Sequence, residues 1–100
     1  MRDTQFVYSN GVLTIKENKS LQKGTVGHYR LSFVLPNEWK NRKKVAHIKS
    51  ITKEEYLPII NGSCMMPDKF NICDIVSVGV ITKDETQQTH KTNYVRINQH

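Results

Sequence analysis

Long apolar runs are missing from this chain: no stretch of its 100 residues approaches the roughly 18 apolar residues that a membrane-spanning helix needs. The opening residues, Met1-Arg2-Asp3-Thr4-Gln5, lead into no apolar segment of the kind a secretory signal carries. The expectation is a protein without membrane insertion, made and kept in the cytoplasm unless a larger particle carries it out. Cysteine is scarce: Cys64 and Cys73 are the only two, with no CxxC or Cys/His spacing around them that would suit zinc. A disulfide between them and a pair of buried reduced thiols both fit the sequence, the second being the ordinary state in a cytoplasmic product.

Catalytic signatures are absent as well. The glycines form neither a P-loop nor a dinucleotide fingerprint, and no serine sits in a G-x-S-x-G context. His28, His47, His90 and His100 make no HxH or HExxH spacing and read as surface or strand-edge histidines. Glu54-Glu55 would point to opposite faces of a strand, which does not suit paired acid and base work, and reads as part of a charged turn. The sequence therefore predicts no catalytic residue, no metal ligand, no cofactor and no enzyme activity.

Acidic residues are also few, nine against 15 lysines and arginines, for a net charge of +6. Such a surface attracts polyanions without sequence preference. The charge is spread along the chain, and its one concentration is Lys40, Arg42, Lys43 and Lys44, just after the only tryptophan, Trp39. Nucleic-acid modules interleave aromatic and basic residues on one sheet face, whereas Tyr29 and Phe33 here share a face with Leu31 and Leu35, the composition of a core. That argues against nucleic acid as the partner. The candidate partner-binding residues are Trp39, Lys40, Arg42, Lys43 and Lys44, set against a plainer reading in which the indole caps the core and the cations form a solvated turn.

What the chain does contain is strand signal. Val12-Leu13-Thr14-Ile15 follows an Asn10-Gly11 turn, and Glu17 to Gly24 reads as a polar loop. His28 to Leu35 alternates, and Pro36 ends it by removing a ladder donor. Lys44 to Ser50 places Ala46 and Ile48 on one face and Val45, His47 and Lys49 on the other. After a turn at Ile51 to Glu55, Tyr56 to Ile60 carries a proline that suits an edge strand. Asn61-Gly62 predicts a type I′ hairpin to a return strand at Ser63 to Met66. A helical turn fits Asp68 to Asn71, and Ile75 to Ile81 is a strong strand. Lys83 to Lys91 reads as a polar loop, and Asn93 to Asn98 as the last strand. About seven short antiparallel strands with no long amphipathic helix predict one all-β domain over residues 1–100. Leu31, Phe33, Val76, Val78, Val80, Val95 and Ile97 would lie between its two sheets.

The ordered set Phe33-Val34-Leu35-Pro36-Asn37-Glu38-Trp39-Lys40, Lys44-Val45-Ala46-His47-Ile48, Cys64-Met65-Met66-Pro67, Val76-Ser77-Val78-Gly79-Val80 and Thr92-Asn93-Tyr94-Val95-Arg96-Ile97 resembles a known group. It is similar to the immunoglobulin-like N-terminal domains of baseplate, tail-fibre and head-fibre proteins of phages infecting Gram-positive bacteria. The resemblance spans roughly residues 28 to 98. It implies an immunoglobulin-like β-sandwich in a bacteriophage virion, attaching, decorating or assembling a baseplate, fibre or capsid, with other virion proteins or further copies of itself as partners. Two other classes remain in view: a small basic nucleic-acid-binding or host-takeover protein, and a module binding carbohydrate or protein on the host surface, with Trp39 as a platform.

Overall fold

The computed structural model describes residues 2–17, 29–70 and 72–98. The architecture is all-β, two packed sheets built from nine strands among the described residues. They are β1 (Arg2–Ser9), β2 (Val12–Glu17), β3 (Tyr29–Val34), β4 (Lys44–Lys49), β5 (Glu54–Pro58), β6 (Ser63–Met65), β7 (Ile75–Lys83), β8 (Thr89–Lys91) and β9 (Val95–Asn98). One sheet runs β2-β1-β3-β6. The other runs β5-β4-β7-β8, with β9 also pairing β7.

The core follows the predicted alternation. Tyr29, Leu31 and Phe33 point inward from β3, and Val76, Val78 and Val80 from β7. Ala46, Ile48 and Ile97 complete the facing layer, while Val95 is only half-buried against it. Phe6 stacks on Phe33 at 5.1 Å between ring centroids. Phe70, fully buried on a 3₁₀ turn (Asp68–Phe70), closes the gap where β6 runs out. Wherever an alternating strand buries one face, a second sheet covers it.

β1 had no counterpart in the sequence reading. Its inward residues are Thr4, Phe6 and Tyr8, and a threonine in an inward slot hides the alternation. Thr4 is fully buried because its hydroxyl is hydrogen-bonded to that of Tyr29. Of the seven strand pairings among the described residues, β1 with β3 is the one parallel pair. The β1–β2 hairpin has already reversed the chain, so β2 ends at the same end of the sheet at which β3 begins, on the far side of β1. The predicted loop from Glu17 to Gly24 falls largely, and His28 wholly, outside the described residues.

Both Asn-Gly pairs adopt positive φ, Asn10 and Gly11 at 54° and 79° and Asn61 and Gly62 at 53° and 78°, the demand of a type I′ turn. The second, expected from the sequence to join two strands of one hairpin, does not join neighbours in one sheet. Ile60 and Ser63 bridge across it, but β5 belongs to one sheet and β6 to the other, so the turn carries the chain between layers. Two further expectations are corrected. Glu54 and Glu55 open β5, and the turn before them is Ser50 to Lys53, closed by Ser50 N–H donating to the Lys53 carbonyl at 2.8 Å. Lys83 to Lys91 is not a plain loop: Lys83 ends β7 and Thr89–Lys91 form β8.

Candidate functional site

Strand registers place two groups of turns at opposite ends of a body 41 Å long. One end holds Asn10-Gly11, the 3₁₀ turn Asn37–Trp39, the basic turn, Asn61-Gly62 and the turn after β7. The other holds Ser50 to Lys53 and the segment leading into β7.

At the Trp39 end the sequence-predicted residues come together, but largely in structural roles. The Trp39 indole is buried and packs on the Tyr8 ring at 4.8 Å, so it caps the core and presents no platform. Lys44 Nζ donates to the carbonyls of Trp39 at 2.9 Å and Lys40 at 3.4 Å, closing the turn on itself. Arg42 is largely covered and donates to Glu85 at 3.5 Å. Lys40 and Lys43 remain exposed. A cleft of about 520 Å³ beside them is lined by Arg42, Lys43 and Lys83, but also by Glu38, Asp84 and Glu85. The basic run is therefore interleaved with carboxylates that the chain brings from elsewhere.

Asp84 organises this end. Its Oδ1 accepts from Thr86 N–H, Thr86 Oγ1 and Gln88 N–H at 2.7 to 3.0 Å, and its Oδ2 lies 2.8 Å from His90 Nε2. These bonds, that to His90 foremost, hold the carboxyl well below the usual carboxylate range.

The outer face of the β5-β4-β7 sheet carries a second cluster. His47, expected at a strand edge or surface, is more than nine-tenths buried. Its ring stacks on Tyr56 at 4.2 Å and nearly parallel, its Nδ1 is hydrogen-bonded to the Tyr94 hydroxyl at 2.5 Å, and its Nε2 lies 3.6 Å from Glu54 Oε2. Gly79 makes room for this: a Cβ there would meet the Tyr94 ring at 2.9 Å. Burial, with Tyr56 and Glu54 nearby, pushes the Tyr94 hydroxyl above its ordinary pKa. A phenol kept protonated is the opposite of an activated nucleophile, so the cluster reads as a scaffold that fixes Tyr94. Lys49 Nζ then sits over the free face of that ring, 4.3 Å from its centroid.

At the Ile51 end the surface turns apolar. Ile51 is 98 % exposed, Ile72 62 % and Ile75 43 %. Ile51 divides two clefts. One of about 380 Å³ is lined by Ser50, Ile51, Thr52, Lys53, Ile72, Cys73, Asp74 and Ile75. The other, about 410 Å³, is lined by Lys49, Ser50, Ile51, Ile75, Ser77 and Arg96. Sequence reasoning passed over this surface. The one available signal was an isoleucine inside an otherwise polar turn, Ser50-Ile51-Thr52-Lys53.

Asn93 joins the two sheets at the opposite lateral side: its side-chain amide accepts from Leu13 N–H at 2.7 Å and donates to the Leu13 carbonyl at 2.9 Å, imitating a strand neighbour for β2. Neither Cys64 nor Cys73 forms a disulfide, and burial raises the Cys64 thiol to about 11. Among the described residues no three of His, Cys, Asp and Glu gather closely enough to hold a metal, and no helix is long and apolar enough to cross a membrane. No family model, no curated protein and no solved structure matches the chain.

Proposed function

We propose that the chain is a non-catalytic structural module of a bacteriophage virion that attaches, decorates or assembles a baseplate, fibre or capsid. The observation that carries the docking role is the apolar Ile51 end. Three isoleucines exposed together are costly to leave in water and mark a surface meant to be covered. β5, an edge strand among the described residues, adjoins it, with Tyr56 exposed on its outer face, and a sheet edge of this kind accepts a neighbouring chain by backbone pairing. The virion setting rests on the resemblance of the segments from Phe33 to Ile97, with which a two-sheet sandwich agrees.

The rival readings draw less support. Lys44 and Arg42 are engaged internally and carboxylates line the cleft beside Lys43, which lowers the local potential a phosphate backbone would meet. A carbohydrate platform at Trp39 lacks an exposed indole.

Sedimentation with isolated virion proteins tests the reading. The wild type is expected to form a complex or an oligomer that survives moderate salt. The Ile51→Asp, Ile75→Asp double variant is expected to bind at least about tenfold more weakly with an unchanged melting temperature. A wild-type protein that stays monomeric at high concentration, binds no virion component and retards DNA in a salt-sensitive manner would overturn the reading.

A further inference from the structure

Lys49, Ser77 and Arg96 are direct neighbours across β4, β7 and β9, Lys49 opposite Ser77 and Ser77 opposite Arg96. All three lie on the outer face, because Val76 and Val78 to either side of Ser77 are buried in the core. Directly opposed residues stand about 5 Å apart, so three hydrogen-bond donors, two of them cationic, make one short row. Among the described residues neither Lys49 nor Arg96 forms an ion pair. Nearby, Lys69 pairs with Glu55 and Lys53 Nζ donates to the Lys69 carbonyl, while Glu54, directly opposite Lys49 across β4 and β5, lies 3.6 Å from His47 Nε2. Asp74 also has an interaction partner.

This arrangement differs from a random cationic surface in two ways. The Lys49 ammonium is held over Tyr94, whose own position is fixed by His47 and by the absence of a side chain at Gly79. Less rotamer freedom is then lost when an anion arrives. The row also lines a cleft whose remaining wall is Ser50, Ile51 and Ile75, so the anion's neighbour meets mostly apolar surface.

We propose that Lys49, Ser77 and Arg96 receive a carboxylate from an acidic, apolar segment of a partner protein, whose adjoining apolar side chains seat against Ile51, Ile72 and Ile75. This deepens the docking reading above and rests on it. Charge complementarity selects the acidic side chain, and the two clefts flanking Ile51 suit a segment that offers an apolar and an acidic side chain in turn. A second copy of this chain fits poorly. Among the described residues, the exposed carboxylates beside exposed apolar side chains, such as Asp74 next to Ile75, already belong to this end, and Glu85 at the other end stands between Asp84 and Thr86.

The probe is an acetylated, amidated hexapeptide of alternating leucine and glutamate, titrated into the isotopically labelled full chain and followed by amide chemical shifts. The expected result is saturable movement at residues 49–52, 75–77 and 96, weakened about tenfold or more when glutamine replaces glutamate in the peptide or in the Arg96→Gln variant. Arg96 is exposed, so that variant should melt as the wild type does. Equal binding of the glutamine peptide, or movement confined to residues 40–43, overturns the proposal. So does binding of phosphatidylserine vesicles through this end when the peptide does not bind, which would assign it to a lipid surface. If the peptide fails while virion docking still depends on Ile51, the docking role stands and the partner's chemistry is wrong.

Discussion

The two ends of the sandwich handle charge in opposite ways, although Val12, Val34 and Ile60 leave apolar surface exposed at the Trp39 end as well. At the Trp39 end the largest apolar side chain is tucked under the turn, Lys44 closes backbone carbonyls, Arg42 faces Glu85 and Asp84 gathers four hydrogen bonds. At the Ile51 end three isoleucines stand in solvent, and Lys49 and Arg96 lack ion pairs among the described residues. The lesson is that density of charge in the sequence does not locate unsatisfied charge in the fold. The cationic run ended up the better compensated of the two.

The sharpest way to break this comparison is a pair of truncations. Trp39→Ala removes a buried indole and should cost about 3 to 5 kcal/mol in chemical denaturation, whereas Ile51→Ala should lie within about 0.5 kcal/mol of wild type. Similar costs at both positions would show that Ile51 is packed and that the open end is not open.

A smaller effect is expected from Gly79→Ala, about 1 to 3 kcal/mol, because the added methyl displaces the Tyr94 ring. The informative readout is the Tyr94 ring resonances together with peptide affinity. If Tyr94 moves and Lys49 still binds the acidic peptide as before, the scaffold does not position Lys49.

Thiol labelling compares the core with the Ile51 end directly. Cys64 is buried and its thiol is raised to about 11, so at pH 8 almost none of it is thiolate. Cys73, half-exposed beside the Ile51 cleft, should react with an aromatic disulfide reagent well before Cys64, which should wait for unfolding. Simultaneous labelling would mean that the core opens as readily as the end.

The smallest effect belongs to Asp84. Its folded carboxyl titrates below the unfolded one, so the stabilisation it gives is present above the ordinary carboxylate pKa of about 4 and fades as the pH falls through the lower folded value. The Thr86 and Gln88 amide resonances should therefore hold their positions through pH 4 and move only in stronger acid. In Asp84→Asn that acid transition should vanish.

Legibility from the sequence varied with burial. The alternations from Tyr29 to Phe33 and from Val76 to Val80 gave strands and faces correctly, since both bury one side against the opposite sheet. β1 stayed hidden because Thr4 fills a core slot through a hydroxyl pair with Tyr29, a contact 25 residues away that no local pattern carries. β8 has three residues, all exposed, and its strand identity comes only from pairing with Ile81 to Lys83. For the candidate site, Trp39 was a candidate partner-binding residue set against a plainer reading as a core cap, and its burial against Tyr8 fits the plainer one. Lys49, Ser77 and Arg96, separated by 28 and 19 residues, carry no joint signal before the strands align.

The sequence by itself determined the all-β class, the two Asn-Gly turns with their positive φ, and the part of the core carried by the strongly alternating strands, because backbone sterics and period-two burial act within a few residues. Only the tertiary structure decided the parallel pairing of β1 with β3, the passage of the Asn61-Gly62 turn between sheets, the compensation of the basic turn and the cationic row at the Ile51 end. Each of those depends on which distant segments become neighbours, a choice set by the packing of whole sheets against each other and not by any residue's own preference.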